Sequence, residues 1–405
     1  MNTAERILVQ DKAAFRTIEP PCPYVGSCGG CTLQDLEYAD QLTLKHQRLL
    51  RTLGALDPSL TLELVPAEDP WRYRNKAELT FSALGPVADS LVLGYHAKRS
   101  FWRIVDLDDC LLLPEAVSRL IADVRRLAQH TGQPAYNPRT HQGFFRYLVI
   151  RHSRSTEKLM VCLITTQGER SLIDSLSEEL VRKHPAIASV YWGIATNVAD
   201  VAMAEELSLI RGEASLEDRV GPFAIRLHPC NFLQPNSAQA ERMYEQVRRW
   251  VSASGQGVAW DVYCGIGLMA FYLSSAFKTV YAVDAEERNL ELGRVNAQAN
   301  GIANVQFQLG RAEDVFLNKR FWLGEAQPDV VVVDPPRSGL HPSVIATLLS
   351  ARPKQLICLS CNAQTLVRDA QMLMTGFPRY RLRDIVAFDL FPHTPHVEVV
   401  ALFER

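Results

Sequence analysis

The sequence predicts an α/β protein whose carboxy-terminal part is a doubly wound, mainly parallel sheet, and three observations predict it. From Gly257 onward, apolar β-branched runs alternate with amphipathic stretches, the pattern of strands buried on both faces by helices. Two glycines, Gly265 and Gly267, stand where the first run gives way to a helix, as a tight strand-to-helix turn requires. An acid and two prolines, Asp334-Pro335-Pro336, stop the fourth run, because proline cannot continue a central strand.

Taken in order, the strand candidates are GVAWDVYC, TVYAVDA, NVQFQLG, DVVVVDPP, QLICLSC, YRLRDIVAFDLF and VEVVALFE. The stretch AEERNLELGRVNAQAN reads as a helix with Gly301 at its C-cap, since glycine takes the left-handed conformation that ends helices. Only FPHTPH joins the last two runs. That is too short for a helix, so they should pair antiparallel. Upstream, residues 36–53 read as an amphipathic helix stopped at Gly54. The segments AELTFSAL, FRYLVIRHS, KLMVCLITTQ and ASVYWGIAT read as strands of a separate α/β or α+β region. The expected division is residues 21–225 and residues 226–405.

At 405 residues with 47% hydrophobic content, the chain can fill two or three cores. MNTAERILVQDKAAFRTIEPP is charged throughout and lacks a signal peptide's apolar run, and no stretch reaches the length of a membrane span. A cytoplasmic protein is expected, with no membrane and no obligate protein partner. Its nine cysteines are then reduced thiols, to be read as metal-binding or catalytic where they cluster. A net charge of -2 gives no global sign of nucleic acid, so such a partner needs a local patch.

The first strand of the carboxy-terminal part runs into Tyr263-Cys264-Gly265-Ile266-Gly267-Leu268, and Asp284 ends the next. Glycines let a ligand approach the backbone, and an acid one strand away can accept hydrogen bonds from ribose hydroxyls. This implies a nucleoside cofactor and leaves NAD and S-adenosylmethionine both open. The ledge at Asp334-Pro335-Pro336 tips the balance towards methyl transfer. Cys361, ending LICLSC, is placed on the same rim to attack a substrate if its surroundings lower its pKa. Glu398, set among Val397, Val399 and Val400, would have its pKa raised by burial towards that of a general base.

Cys22, Cys28 and Cys31 lie within ten residues among glycines and a proline, with Cys110 far downstream. Such a loop can wrap a metal centre, iron-sulfur or zinc. Two stretches combine cations with aromatics as nucleic-acid surfaces do. NPRTHQGFFRYLVIRHSR (137–154) carries Arg139, Arg146, Arg151 and Arg154 with Phe144, Phe145 and Tyr147, and HAKRSFWR (96–103) is the second.

Together CPYVGSCGGC, YRNK, NFLQPN, DVYCGIG, DPPRSG, SCNAQT and FDLFPHTPHVE resemble the RNA uracil-5-methyltransferase family, over nearly the whole chain from Cys22. The closest likeness is to its iron-sulfur branch acting on 23S rRNA. The resemblance implies a Rossmann-like, seven-stranded S-adenosylmethionine-dependent domain after an iron-sulfur and RNA-binding region. It implies Cys361 as nucleophile, Glu398 as base, and Gln234, Tyr263, Leu268, Asp284 and Asp334 around S-adenosylmethionine. Cys22, Cys28, Cys31 and Cys110 would ligate a [4Fe-4S] cluster. Asp284 is a shortened version of the family's usual Glu, and Arg311 stands where a polar or acidic adenine-side residue is expected. The first 21 residues leave no room for the oligonucleotide-binding barrel of some relatives, which favours the ribosomal branch, and the cysteines argue against the usual bacterial tRNA enzyme. The rival readings are tRNA methylation, methylation of an exocyclic amine, a nicotinamide-dependent iron-sulfur oxidoreductase, and an RNA-binding assembly factor.

Overall fold

The computed structural model describes residues 10–83, 91–100, 102–199, 201–251, 257–317 and 327–405. The first nine residues, Leu84 of AELTFSAL and Phe101 of HAKRSFWR lie outside the described residues.

The first predicted helix forms over Tyr38–Leu53 and buries Leu44, Leu49 and Leu53 on one face, together with Gln41 and Lys45. Gly54 ends it in ordinary right-handed geometry, its N–H donating to Leu50 O. The chain then makes β1 (Glu63–Val65) and enters a sheet built from β2 (Lys76–Ala83), β3 (Leu91–His96), β4 (Ile104–Asp106), β5 (Phe145–His152), β6 (Leu159–Thr165), β7 (Ile187–Ile194) and β8 (Glu206–Gly212). Its order is β4-β3-β2-β5-β6-β7-β8. All pairs are antiparallel except β6 and β7, whose parallel crossover is the helix Arg170–Lys183. That helix and Glu115–His130 cover one face, packing Ile173, Leu176, Val117, Leu120 and Ile121 on Leu79, Phe81, Leu148 and Ile150. The other face, through Tyr147, Val149, Met160 and Cys162, shares a core with Leu233, Met243 and Leu268. Covered on both sides, β5 and β6 are buried at every position.

A hairpin of β9 (Leu216–Val220) and β10 (Phe223–Leu227) turns at Gly221, φ +56°. The carboxy-terminal sheet follows: β11 (Val258–Val262), β12 (Thr279–Asp284), β13 (Val305–Leu309), β14 (Val330–Val333), β15 (Gln355–Ser360), β16 (Arg381–Phe388) and β17 (Glu398–Glu404). These are the seven expected runs. The order is β1-β16-β17-β15-β14-β11-β12-β13. The pairs from β13 through β15 are parallel, and β17 is antiparallel to both β15 and β16, as its short connection demanded. The expected seven strands become eight, because β1 pairs parallel with β16. Gly301, φ +66°, lies just past the helix Glu287–Ala299 and its cap Asn300, as expected.

Val330–Val333 are all buried and Trp260 is fully enclosed, so the middle of the sheet is a rigid platform. Ligands of open parallel sheets bind beyond the carboxyl ends of the strands, where the order reverses. Here that place is the rim between β11 and β14. Among the described residues no helix is long and apolar enough to cross a membrane.

Candidate active site

Past β11 the backbone curls through three left-handed residues: Tyr263 at φ +67°, Gly265 at +54° and Gly267 at +81°. At Gly267 an added Cβ would meet Phe307 Cε1 at 2.7 Å, whereas at Gly265 it would meet nothing within 4 Å. The first glycine therefore faces open space and the second is locked in packing. Asp261, buried beneath the loop, accepts from Ala270 N at 2.9 Å and caps the helix Leu268–Ser274, whose own N-cap, Gly267, has no side chain to do so. Burial pushes Asp261 up to about 8.

The loop borders a cleft lined by Phe232, Gln234, Tyr244, Tyr263, Leu268 and Asp334, among others. Four of the five expected cofactor residues thus converge. Gln234 is held there by Asn75 of YRNK, whose Nδ2 donates to Gln234 O at 2.9 Å and whose N–H donates to Pro235 O at 2.9 Å. Asp284 stands behind the loop. Its Oδ2 accepts from Gly265 N at 2.8 Å, while Oδ1 accepts from Glu286 N at 2.9 Å and Asn289 Nδ2 at 3.2 Å. Asn289 Oδ1 in turn accepts from Asn231 Nδ2 at 2.9 Å. Arg311 is exposed and lies 4.0 Å from Glu313.

Asp334, Cys361 and Glu398 follow or open the adjacent strands β14, β15 and β17 at one end of the sheet. The antiparallel register, Ser360 opposite Val399, brings the start of β17 to the finish of β15. Glu398 is buried, and its carboxyl is pushed up to about 8, chiefly by burial, then by the charge of Asp334, with Arg337 opposing. Asp334 is raised to about 6 by burial. The Cys361 thiol is also raised: burial and the charges of Glu398 and Asp334 push it up, and the Arg337 guanidinium opposes them by its charge and a hydrogen bond.

Arg337 is the residue that sequence reasoning missed. It stood in plain view in DPPRSG, but only the fold turns it towards a thiol carried on the next strand. Asn362, next to the thiol, secures this arrangement: Nδ2 donates to Arg337 O at 3.3 Å, and Oδ1 caps the helix Ala363–Thr375 by accepting from Gln364 N at 3.1 Å. The thiol thereby sits at a helix N-terminus, whose partial positive charge favours a thiolate.

The connection from β16 to β17 is fixed from far away in sequence. Asp389, fully buried, accepts from Lys45 Nζ at 2.6 Å and Tyr38 Oη at 2.9 Å. His393, at φ +66°, stacks on Trp71 at 3.8 Å and accepts at its carbonyl from Thr32 N and Leu33 N. Burial first, then Lys45, lowers its pKa, with the hydrogen bond to Pro70 O opposing, to about 4. It anchors the loop. His396, also lowered by burial, feels the charge of Arg337 and so lies nearer the reacting groups.

Cys22, Cys28, Cys31 and Cys110 line one cavity with Tyr24, Val25, Leu107 and Leu112. Cys110 is brought there by backbone bonds from Arg72 N to Leu111 O and Arg74 N to Leu112 O, both 2.9 Å. Gly30 N donates to Cys28 Sγ at 3.4 Å. Burial raises the thiols of Cys28, Cys31 and Cys110, that of Cys31 to about 12. Among the described residues no group of three or more His, Cys, Asp or Glu converges closely enough to hold a single metal ion.

Two of the four arginines expected at a nucleic-acid surface are instead interior. Arg146 donates to Ala195 O, Asn197 O and Ala199 O, and Arg151 donates to Pro229 O and Asn231 O. Both are buried, as are Phe144, Phe145 and Tyr147, because the sheet is covered on both faces. Arg139 and Arg154 remain exposed, with the Arg139 guanidinium 4.8 Å from the Trp102 ring centroid.

A family model described as tRNA (Uracil-5-)-methyltransferase matches residues 206–405. An uncharacterised RNA methyltransferase of Halalkalibacterium halodurans is 32% identical over 403 residues, covering 98% of this chain and 86% of the relative. The chain belongs to the RNA uracil-5-methyltransferase family. An uncharacterised RNA methyltransferase of Chlorobaculum tepidum is 30% identical over 404 residues, 96% of this chain and 83% of the relative. Among solved structures, the tRNA (uracil-54, C5)-methyltransferase of Pyrococcus abyssi, in complex with S-adenosyl-L-homocysteine, superposes with a TM-score of 0.75. It is 30% identical over 93% of this chain and 86% of that one. As a member of this family the chain is an S-adenosylmethionine-dependent RNA methyltransferase.

Proposed function

We propose that this protein methylates carbon 5 of a uridine in 23S rRNA, with Cys361 as nucleophile and Glu398 as base. The observation that carries the reading is the convergence of Cys361, Glu398 and Asp334 on one rim, with Arg337 against the thiol. Carbon 5 of uracil is a weak nucleophile. Addition of the Cys361 thiolate to carbon 6 turns the ring into an enolate whose carbon 5 carries the electron pair. S-adenosylmethionine, when bound, would supply the methyl from its sulfonium: carbon 5 bonds to it with that electron pair as the methyl–sulfur bond breaks, its electrons staying on the sulfur of the departing S-adenosylhomocysteine. Glu398 then takes the carbon 5 proton, the ring double bond re-forms, and the Cys361 sulfur leaves with the electrons of its bond to carbon 6. A base edge in a stacked helix is out of reach of a recessed thiol, so the uridine enters flipped from a loop.

Gln234, Tyr263, Leu268 and Asp334 would hold the cofactor in the cleft, with the open face of Gly265 receiving it and Asp284 bracing that glycine. Supporting this is the space at Gly265, which any side chain would fill. Cys22, Cys28, Cys31 and Cys110 would hold a [4Fe-4S] cluster. Four thiols and an apolar wall suit such a group, and a backbone N–H on Cys28 Sγ is the kind of bond that tunes one. Methyl transfer needs no electron, so the cluster's part would be structural. Iron and sulfide analysis of anaerobically purified protein, with Cys110→Ser as control, tests the assignment; zinc at one equivalent without sulfide refutes it.

A second reading, methylation of tRNA, is favoured by the description of the matching family model and by the Pyrococcus abyssi structure. Mass mapping of 23S rRNA and bulk tRNA from cells lacking the protein separates the two. Loss of a methyluridine from 23S rRNA alone supports the first, and loss from tRNA alone overturns it.

A further inference from the structure

The two stretches singled out in the sequence as nucleic-acid surfaces lie some forty residues apart in the chain, yet the fold brings them to one cleft. It is lined by Thr80, Ser82, His96, Trp102, Tyr136 and Arg146, among others. The cleft belongs to the central sheet and shares no lining residue with the cofactor cleft.

Its chemistry is specific. Trp102, 52% exposed, offers a large ring at the surface, with the Arg139 guanidinium over it at 4.8 Å. Inside, the Arg146 guanidinium lies 4.3 Å from the Tyr136 centroid and 5.6 Å from that of Tyr147. Carbonyls of residues 195–199 hold its Nη atoms in place. Arg146 Nε, in contrast, is buried without a hydrogen-bond partner among the described residues, and buried donors are rarely left so. The exposed Trp102 ring, with Tyr136 behind it, makes a stacking platform for a heterocycle, and the hydroxyls of Thr80 and Ser82 with the spare N–H can meet its polar edge.

We propose that this cleft receives a second unstacked base of the RNA, apart from the uridine that is methylated. The inference rests on the RNA-methyltransferase reading only for the class of ligand. Its position is consistent with a single bound strand. β2 starts beside Asn75, which holds the Gln234 loop, and runs to Thr80 and Ser82. At about 3.3 Å per residue these lie roughly 17–23 Å from Asn75, a span that a short single-stranded segment covers. A base parked here would fix the register of the loop and so decide which neighbouring uridine reaches Cys361.

The test is fluorescence anisotropy with a fluorescein-labelled single-stranded uridine dodecamer, on the full chain with its native metal content. Variants are Trp102→Ala, Trp102→Phe and Tyr136→Ala, with S-adenosylhomocysteine affinity measured on each. Stacking is worth about 1–3 kcal/mol per base, so W102A and Y136A should each weaken RNA binding about 5- to 150-fold. W102F should recover most of the loss. The salt dependence should keep its slope, since no phosphate contact is removed, and S-adenosylhomocysteine affinity should be unchanged. Wild-type RNA affinity in both alanine variants overturns the proposal, as does a reduced salt slope for W102A. A wild-type protein that binds RNA but methylates none would refute the catalytic reading and leave this measurement intact.

Discussion

The most demanding test concerns the proton on Glu398. Its carboxyl is raised from 4.5 to about 8, so at pH 7 only about one molecule in ten carries the carboxylate that the proposed base step needs. The fraction reaches about half at pH 8 and nearly all above pH 9. Product release in single-turnover experiments should therefore quicken about tenfold per pH unit well below 8 and level off above it, a total gain of about fivefold between pH 7 and 8. Adduct formation follows a different group, the Cys361 thiol, which is raised above its usual 9. Glu398→Gln separates the two: it should form the adduct with the pH dependence of the thiol and then stall. The assay is quenched flow with methyl-labelled S-adenosylmethionine, scoring protein-bound and free methylated RNA between pH 6 and 9.5. Release at the wild-type rate by E398Q, or a wild-type release rate flat from pH 6 to 9, would refute the assignment of the base. The same shift carries a stability signature. Between pH 4.5 and 8 the folded state holds a proton that the unfolded chain has shed, so this group makes stability fall as pH rises. E398Q should abolish that fall and raise the urea midpoint at pH 8.

Further expectations follow from neighbouring contacts. Cys361→Ala should abolish methyl transfer while leaving S-adenosylhomocysteine binding within about twofold, and RNA containing 5-fluorouridine should be trapped on the wild type at position 361, a site peptide mapping identifies. Lys45→Met strands Asp389, whose ion pair is about 1% exposed on one side and 0% on the other. Breaking such a pair costs about 3–5 kcal/mol, to be read as a lower urea midpoint, and an unchanged midpoint would disprove the anchor. Asn289→Ala removes the amide that steadies Asp284 behind Gly265. S-adenosylhomocysteine affinity should drop about tenfold, or ~1.4 kcal/mol, within the range of a hydrogen bond to a charged group; calorimetry decides.

Much of this was legible in the sequence where burial is two-sided. The runs VVVV and LICLS can only be central strands, and a thiol or acid ending such a run must stand on the rim. What escaped was whatever depends on partners remote in sequence. Glu63–Val65 is too short and too polar to announce itself as a strand. Nothing in the sequence of residues 36–53 marks Lys45 as interior; Asp389, remote in the chain, gives it a reason to be inside. The arginines of FRYLVIRH misled for the same reason: alternation predicts an exposed face only where one face of a sheet meets water, and here neither does. Arg146 and Arg151 donate to loop carbonyls that no periodicity reveals.

The parallel pairing of β1 with β16 has a practical consequence for anyone dissecting the chain. A fragment beginning at the last two hundred residues would keep every group argued to do chemistry, yet it would present a bare row of amides along β16 and an ownerless carboxylate at Asp389. Such a piece should self-associate through that seam instead of behaving as an autonomous catalyst, and supplying residues 36–75 in trans should restore its solubility.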